Sequence, residues 1–310
     1  MAKKIKIHYR APSHVPLWKV MEHGGFLAKH GLEMDMGSLE GQRKRATEGL
    51  KAGTLDVVSG NHHNLYAFKA LHGDPYVHIA QSNNSWRENF LVCGKGIDGV
   101  KDLRGKKVAM DDYDGHTGLN VWLYLRRNGL EEGRDVELVT DPVKGAERAK
   151  GVMEGKYDAT FIRAVDRLRA LKFGAKIVEV APMAMIEGVT LTTTTTYVKN
   201  HEEECRALIM AMIDGTHFFK TNKADTLEIV KEHCSELLKM RSDEEWDCFY
   251  ENQVESLESA PYPSLEAIQN VFALAVKRDP EIKEYNPLAL WDLHYVKEID
   301  DSGYIRKLYA

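Results

Sequence analysis

The sequence lacks clustered cysteines and long apolar runs. Its four cysteines stand at positions 93, 205, 234 and 248 without a C-x-x-C pair, so their spacing suggests neither a disulfide scaffold nor a zinc ribbon. No segment approaches the roughly 18 apolar residues that a membrane-spanning helix needs. These absences argue against a disulfide scaffold, a zinc ribbon and a membrane-spanning protein. The cysteine pattern is compatible with a reducing compartment.

The chain also lacks a strong charge of either sign. Its 42 Lys and Arg residues against 47 Asp and Glu residues give a formal net charge of −5, which offers no electrostatic attraction for nucleic acid or an anionic membrane. Residues 1–4 run directly into a predicted strand, without the apolar segment or cleavage site of a secretion signal. We therefore expect a cytoplasmic protein, or a periplasmic or extracellular one if an export signal was removed.

What the sequence does contain is an internal repeat. The pattern Gly-x-x-x-Gly-x-x-Asp occurs at residues 49–56 and again 102 residues later, at residues 151–158. Around both copies the predicted elements follow the same order of strand, helix, strand, helix and strand. Two unrelated units that each end a helix with glycine are the alternative, but the matching order favours one supersecondary unit used twice.

The repeat predicts an α/β fold. Strands that alternate with helices indicate parallel sheets covered by helices on both faces, and 310 residues suffice for two such lobes. A β-prone run with five consecutive threonines follows at residues 189–198, and from His201 onward the apolar spacing is helical. We predict a discontinuous first lobe of residues 1–90 and 195–310 with a helical C-terminal part, and a second lobe of residues 91–194. Two extended strands would form the hinge.

Several short motifs resemble those of a known superfamily. They are the loop at residues 11–17 and the segments GFLAKHGL at 25–32, LKAGTLDV at 50–57, DLRGKKVA at 102–109 and GKYDA at 155–159. In these motifs the sequence resembles the type 2 periplasmic-binding-protein superfamily, in particular the branch with the thiamine-pyrimidine synthases and the sulfonate, nitrate and aromatic-acid binding proteins. The resemblance implies two doubly wound lobes built from βαβ units, with a ligand cleft between them.

The resemblance leaves both a binding protein and an enzyme open. The superfamily contains solute-binding proteins of importers. It also contains cytosolic lyases, such as dihydroxyphthalate-type decarboxylases and a chorismate dehydratase, which lack export signals. The thiamine-pyrimidine synthases carry a clustered-cysteine iron motif that this sequence does not have, so their activity is not implied.

Candidate site residues follow from the rule that ligands bind beyond the carboxyl ends of the strands in doubly wound sheets. The candidate catalytic residues are His14, His62, His116 and Glu187, and the candidate ligand-binding residues are Ser13, Asn61, His63, Trp86, Arg87, Gly115, Thr117 and Arg163. The repeat offset of 102 pairs His14 with His116. Each loop histidine could instead be solvated or bonded to backbone, and Trp86 could simply pack at the hinge. Adjacent His62 and His63 cannot both face a cleft from an extended segment.

The loop at residues 114–118 is a candidate anion site. It opens a predicted helix with small residues, which leaves backbone N–H groups at the positive end of the helix dipole. A ligand carboxylate held by these amides, and by Arg163 in bidentate fashion, is the first hypothesis. In the alternative, Asp114 or Thr117 only caps the helix.

Titratable side chains dominate the candidate loops, which favours an enzyme. The main expectation is a cytosolic protein that acts on a carboxylated substrate, for instance an aromatic one, by acid/base lyase chemistry such as decarboxylation. The alternative is the solute-binding component of an ABC-type importer, which binds a small organic anion without chemistry and has an importer permease as partner. We expect no cofactor. A divalent metal held by the histidines and Glu187 is less favoured, because no metal-ligand spacing motif is present.

Overall fold

The computed structural model describes residues 2–40, 42–60, 62–113 and 116–310. The chain forms two compact units. The first comprises Met1–Asn84, Met185–Trp246 and Gln253–Ala310, and the second comprises Ser85–Ala184 with Asp247–Asn252. Each unit is built around one five-stranded sheet.

Strands and helices are interspersed as far as β10, and the chain is helical thereafter. The strands are β1 (Lys3–Tyr9), β2 (Leu32–Ser38), β3 (Val57–Ser59), β4 (Tyr76–Trp86), β5 (Phe90–Cys93), β6 (Lys106–Met110), β7 (Val136–Thr140), β8 (Ala159–Ile162), β9 (Ile177–Glu179) and β10 (Met183–Thr194). The α-helices are α1 (Val15–His23), α2 (Phe26–Lys29), α3 (Arg43–Lys51), α4 (Asn64–His72), α5 (His116–Arg127), α6 (Gly145–Met153), α7 (Ala164–Leu171), α8 (Thr195–Asn200), α9 (Glu202–Thr221), α10 (Lys223–Leu238), α11 (Asp243–Ser256), α12 (Leu265–Arg278), α13 (His294–Asp301) and α14 (Tyr304–Leu308).

The two sheets have the same plan. The strand order is β2-β1-β3-β10-β4 in the first sheet and β7-β6-β8-β5-β9 in the second. In both, the first three strands of the order are parallel, with β1 between β2 and β3 and β6 between β7 and β8. The carboxyl ends of these parallel strands meet at one edge of each sheet, which is where candidate residues were expected.

The predicted parallel pairing is confirmed for the βαβ strands, but each sheet also contains antiparallel strands and is therefore mixed. Strand β10 runs antiparallel to β3, and β5 runs antiparallel to both β8 and β9. Parallel pairing needs a crossover connection that returns the chain to the same end of the sheet. Neither β5, which follows β4 after a short loop, nor β10, which follows β9, is reached through such a crossover helix.

The first glycine of the repeat, Gly49 or Gly151, has the same packing role in both copies. A Cβ on Gly49 would lie 2.7 Å from Cδ1 of Leu55, and a Cβ on Gly151 would lie 2.4 Å from Cε2 of Tyr157. Only glycine lets the helix sit this close to the residue that leads into the next strand. The repeated glycine is therefore required by close packing of helix against strand.

The aspartate of the repeat bonds to the first strand of each sheet. The Lys6 backbone N–H donates to Oδ2 of Asp56 over 2.8 Å, and the Lys107 backbone N–H donates to Oδ2 of Asp158 over 2.8 Å. In return, the Asp56 and Asp158 N–H groups donate to the Lys6 and Lys107 carbonyls. The sequence repeat is thus one structural device, used once in each sheet.

The pairing register of the strands shows that the spacing between the two copies of the repeat changes by one residue at their first strands, β1 and β6. Ile7 pairs with Val57 in the first sheet, whereas Val108 pairs with Ala159 in the second. The offset is therefore 102 between β3 and β8 but 101 between β1 and β6. As a result, the predicted one-to-one match of His14 with His116 does not follow from the strand register.

Two predicted element boundaries are wrong for local reasons. The β-prone threonine run does not extend as a strand to Val198, since β10 ends at Thr194 and α8 begins at Thr195. The Thr194 hydroxyl accepts a hydrogen bond from the Tyr197 N–H over 3.1 Å, which is the side-chain cap that threonine supplies at a helix start. The apolar spacing from Leu17 to Leu27 predicts one helix that Gly31 ends, but the structure divides it into α1 and α2 at Gly25, which has a φ of +77°.

The helical C-terminal region is confirmed. The predicted stripe is buried along one side of α9, where the long helix packs on α1 and α2 of the first unit; its members are Cys205, Leu208, Ile209 and Met212. Within the described part of the chain, no helix combines the length and apolarity needed to cross a membrane.

Candidate functional site

The candidate residues of the first unit lie where β1 and β3 end side by side. Tyr9 of β1 pairs with Ser59 of β3, so the loops that follow these two strands are neighbours. The first loop passes through the short 3-10 helix Pro12–His14 into α1, and the second passes through His62 and His63 into α4. Two helices of nine residues therefore begin at this edge, which we call the first-sheet edge.

His14 is buried and held by the end of β3. Its Nδ1 lies 3.0 Å from the Ser59 carbonyl oxygen, and because a carbonyl can only accept, Nδ1 carries a proton. Ser59 is fixed in turn, since its hydroxyl accepts a hydrogen bond from Nε1 of Trp18 over 3.0 Å. The ring of His14 thus has one orientation and one defined tautomer when neutral, with the lone pair on Nε2.

Gly60 allows this packing. It has a φ of +98°, and a Cβ at this position would lie 2.6 Å from Cε1 of the His14 ring. Its carbonyl accepts from the Thr192 hydroxyl over 2.7 Å. Since that hydroxyl has given its proton to Gly60, it accepts from Nδ1 of His78 over 2.8 Å. Burial, with Lys69 nearby, lowers the pKa of His78 to about 3, so this supporting ring is neutral.

His62 and His63 are both buried, and the structure separates their surroundings. The ring centroid of His62 lies 6.4 Å from that of His14. His63 stands at the N-cap of α4, and its Nε2 lies 3.4 Å from Nη1 of Arg278 in α12. His14 and His62 are therefore the two candidates brought together at the first-sheet edge. Ser13 lies half-buried beside His14 in the 3-10 helix.

In the second unit the corresponding edge lies where β6 and β8 end. Ala109 pairs with Thr160 in parallel register, and helices α5 and α7 begin beyond these strands. His116 and Thr117 are the half-buried first two residues of α5. Asn61, Asp114 and Gly115 lie outside the described residues, so the predicted amide loop at residues 114–118 stays a prediction.

Arg163 stands at the N-cap of α7 and is bonded to a carboxylate of the protein itself. Its Nε donates to Oε1 of Glu88 over 3.1 Å, while Oε2 of Glu88 accepts from Nε1 of Trp86 over 3.3 Å. The Glu88 side chain is 7% exposed, whereas that of Arg163 is 49% exposed. An anionic ligand at Arg163 would therefore share the guanidinium with an internal counter-ion, which the sequence did not reveal.

Trp86 packs in an aromatic cluster of the second unit. It is 1% exposed, and its ring centroid lies 5.1 Å from that of Tyr124 and 5.7 Å from that of Phe161. These contacts support the alternative in which Trp86 has a packing role. Arg87 follows it in the half-buried loop between β4 and β5.

Glu187 lies within β10, which begins at Met183. Its carbonyl accepts from Nε2 of Gln81 over 2.6 Å, and the following Gly188 has a φ of +65°. Among the described residues, no group of three or more His, Cys, Asp and Glu side chains is arranged to hold a metal ion.

Sequence reasoning missed the residues that support the first-sheet edge. Trp18 fits the apolar stripe of α1, and Thr192 belongs to the threonine run, so neither stood out as polar support. His78 lies within β4, and Arg278 lies 215 residues from its partner His63. No local pattern points to such long-range contacts.

Comparison with known families gives one match. Residues 11–225 match the family model described as NMT1/THI5 like. No curated protein matches the chain.

Solved structures share the fold at low sequence identity. The periplasmic sulfonate-binding protein SsuA from Methylobacillus flagellatus KT is 16% identical, with 98% of this chain and 96% of that chain covered and a TM-score of 0.70. The periplasmic aliphatic sulphonate binding protein SsuA from Escherichia coli is 15% identical, with 92% and 93% covered and a TM-score of 0.64. The periplasmic nitrate-binding protein NrtA from Synechocystis PCC 6803 is 12% identical, with 97% and 89% covered and a TM-score of 0.64.

These findings confirm the resemblance and the fold class, and they overturn the main functional expectation. The chain has the α/β fold of the type 2 periplasmic-binding-protein superfamily. The expectation of a cytosolic lyase is wrong, because the three structures named above are described as periplasmic binding proteins of sulfonate or nitrate. Neither decarboxylase chemistry nor a cytoplasmic location has support among them.

Proposed function

Because the chain belongs to the NMT1/THI5-like family, we propose that it is the solute-binding component of an ABC-type importer. It binds a small organic anion and releases it unchanged. Under this proposal the protein works outside the cytoplasm, its partner is an importer permease, and no cofactor takes part.

The observation that carries the proposal is the first-sheet edge. Helices α1 and α4 both begin there, so the positive ends of two helix dipoles meet at the ends of β1 and β3. Such helix starts attract sulfonate, nitrate and carboxylate groups alike. Two imidazole rings, those of His14 and His62, stand at the same edge.

The bonding of His14 suits recognition of an anion. The hydrogen bond between Nδ1 and the Ser59 carbonyl holds the ring of His14 at the first-sheet edge. A protonated ring would donate from Nε2 to an anionic oxygen, and such charge-assisted hydrogen bonds are about twice as strong as neutral ones. His14 is held by Ser59 and Gly60, so little orientational freedom is lost when a ligand binds.

Further ligand contacts are proposed from the remaining candidates. In the first unit these are Ser13, Asn61 and His63. In the second unit they are Arg87, Gly115, His116, Thr117 and Arg163, with the guanidinium of Arg163 shared between the ligand and Glu88. Sulfonates come first among the ligands to test, followed by nitrate and carboxylates, because relatives of the same fold are described as binding sulfonate and nitrate.

His62→Asn is expected to weaken binding of the best anion about tenfold or more, since it removes a buried ring beside His14 at the first-sheet edge. The ligand is first chosen by thermal shift among alkanesulfonates, nitrate and small carboxylates, and its dissociation constant is then measured by calorimetry. The matched control is His72→Asn, because His72 is exposed at the opposite end of α4 and should leave the affinity unchanged.

Two results would count against the proposal. Equal affinity in the parent and His62→Asn proteins would remove the first-sheet edge as the binding site. A ligand recovered from the protein in chemically altered form, as seen by proton NMR, would show that the protein is not a simple binder.

A further inference from the structure

A cavity of about 390 Å³ lies under α3 in the first unit. It is lined by His8, Leu39, Arg45, Glu48, Gly49, Ala52, Thr54 and Leu55. These residues differ from those at the first-sheet edge, and they belong to β1, α3 and the loops beside α3. The volume falls in the range of small-molecule pockets in proteins.

The face of α3 that lines the cavity combines two long charged side chains with two small residues. Arg45, Glu48, Gly49 and Ala52 follow helical spacing, so they lie on the same face. Two of the four are small, and Gly49 cannot be larger because a Cβ there would meet Leu55. This face therefore leaves space where apolar residues would otherwise fill a core.

His8 lines this space from β1. It pairs with Gly37 of β2, where a Cβ would lie 2.6 Å from the His8 ring, so the ring occupies the place of the absent side chain. Among the described residues, Nδ1 of His8 is buried without a hydrogen-bond partner. Burial lowers the pKa of His8, with Asp35 opposing and Arg45 adding to the effect, so the ring is neutral near pH 7. A neutral ring protonated on Nε2 offers a lone pair on Nδ1.

Charges of both signs stand at the mouth. Arg45 is exposed, and its Nη1 donates to Oε1 of Gln42 over 2.8 Å. Glu48 is also exposed and lies 3.7 Å from Lys44, so it is not committed to a buried partner. The walls are apolar, formed by the buried Leu39 and Leu55.

We infer that this cavity is a second binding site, which takes a zwitterionic amino acid with an apolar side chain. Arg45 meets the ligand carboxylate in bidentate fashion. The ammonium group donates to Glu48. The ligand side chain contacts Leu39 and Leu55.

The test uses three probes of matched shape: L-leucine, isocaproate, which lacks the amino group, and isoamylamine, which lacks the carboxylate. Calorimetry at neutral pH should show saturable binding of L-leucine that is about tenfold or more tighter than that of either single-charge probe. Arg45→Gln and Glu48→Gln should each weaken L-leucine binding about tenfold, and both positions are exposed, so the variants should fold.

The matched control is Lys51→Gln, which removes a cation from the same helix outside the cavity lining and should leave L-leucine affinity unchanged. If isocaproate bound as tightly as L-leucine, the inference that the ligand is zwitterionic would be wrong. Absence of saturable L-leucine binding, or equal affinity in the parent and Arg45→Gln proteins, would overturn the site itself. Because the readout is L-leucine rather than the importer ligand, a failure here is distinguishable from a failure of the proposed function.

Discussion

Trp86→Ala is expected to lower the free energy of unfolding of the second unit by about 3 to 5 kcal/mol, the usual cost of truncating a buried tryptophan. The ring is 1% exposed and contacts Tyr124 and Phe161, so its removal leaves a cavity in the aromatic cluster. It also removes the donor to buried Glu88. Urea unfolding followed by circular dichroism measures the loss. Hydrogen exchange of peptides that contain Tyr124 and Phe161 assigns it to the second unit.

The matched variant is Trp86→Phe, which keeps an aromatic ring in the cluster but cannot donate to Glu88. Its cost should be smaller, about 1 to 2 kcal/mol, from the lost hydrogen bond and the smaller ring. If Trp86 served mainly to stack on a ligand, both variants would unfold like the parent and differ only in ligand affinity. That outcome would contradict a packing role.

The architecture was readable from the sequence where the signal is local. Gly49 and Gly151 each approach a residue only a few positions further along the chain, Leu55 and Tyr157, so the repeat pattern indicated this packing. The buried stripe of α9 was likewise a local periodicity. The antiparallel course of β5 and β10 was not readable, because strand direction depends on pairing between distant segments.

The sequence predicted where the candidate residues lie in the fold, but it did not predict their hydrogen-bond partners. The carboxyl ends of β1 and β3 placed His14 and His62 at one edge, where the structure has them. The partners that orient them, such as Ser59 for His14 and Arg278 for His63, are fixed by tertiary contacts that span 45 and 215 residues. Function was misjudged because titratable loop residues serve binding as well as catalysis.

A second large effect is expected at Asp214, a buried carboxylate far from the candidate residues in sequence. Its side chain is 2% exposed in α9 and accepts hydrogen bonds from Lys29 (2.7 Å), His30 (2.8 Å) and Tyr304 (2.7 Å). It therefore joins the end of α2 and the C-terminal α14 to the long central helix. Burial raises the pKa of Asp214, but the three bonds outweigh it and lower the pKa to about 2.

Asp214→Asn is expected to lower the free energy of unfolding by about 2 to 4 kcal/mol at pH 7, because Lys29 and His30 lose their shared carboxylate. A carboxyl whose pKa is lower in the folded than in the unfolded protein stabilises the fold above the unfolded pKa of about 4. That contribution is lost as the pH falls from about 4 towards 2, so parent and variant should converge in acid. Urea titrations at several pH values measure the difference. Asp243→Asn is the control: Asp243 pairs with Lys231 but is 91% exposed, so solvent screens the pair and the variant should unfold nearly like the parent. A pH-independent difference between parent and Asp214→Asn would show that the carboxylate charge does not hold α2 and α14 to α9.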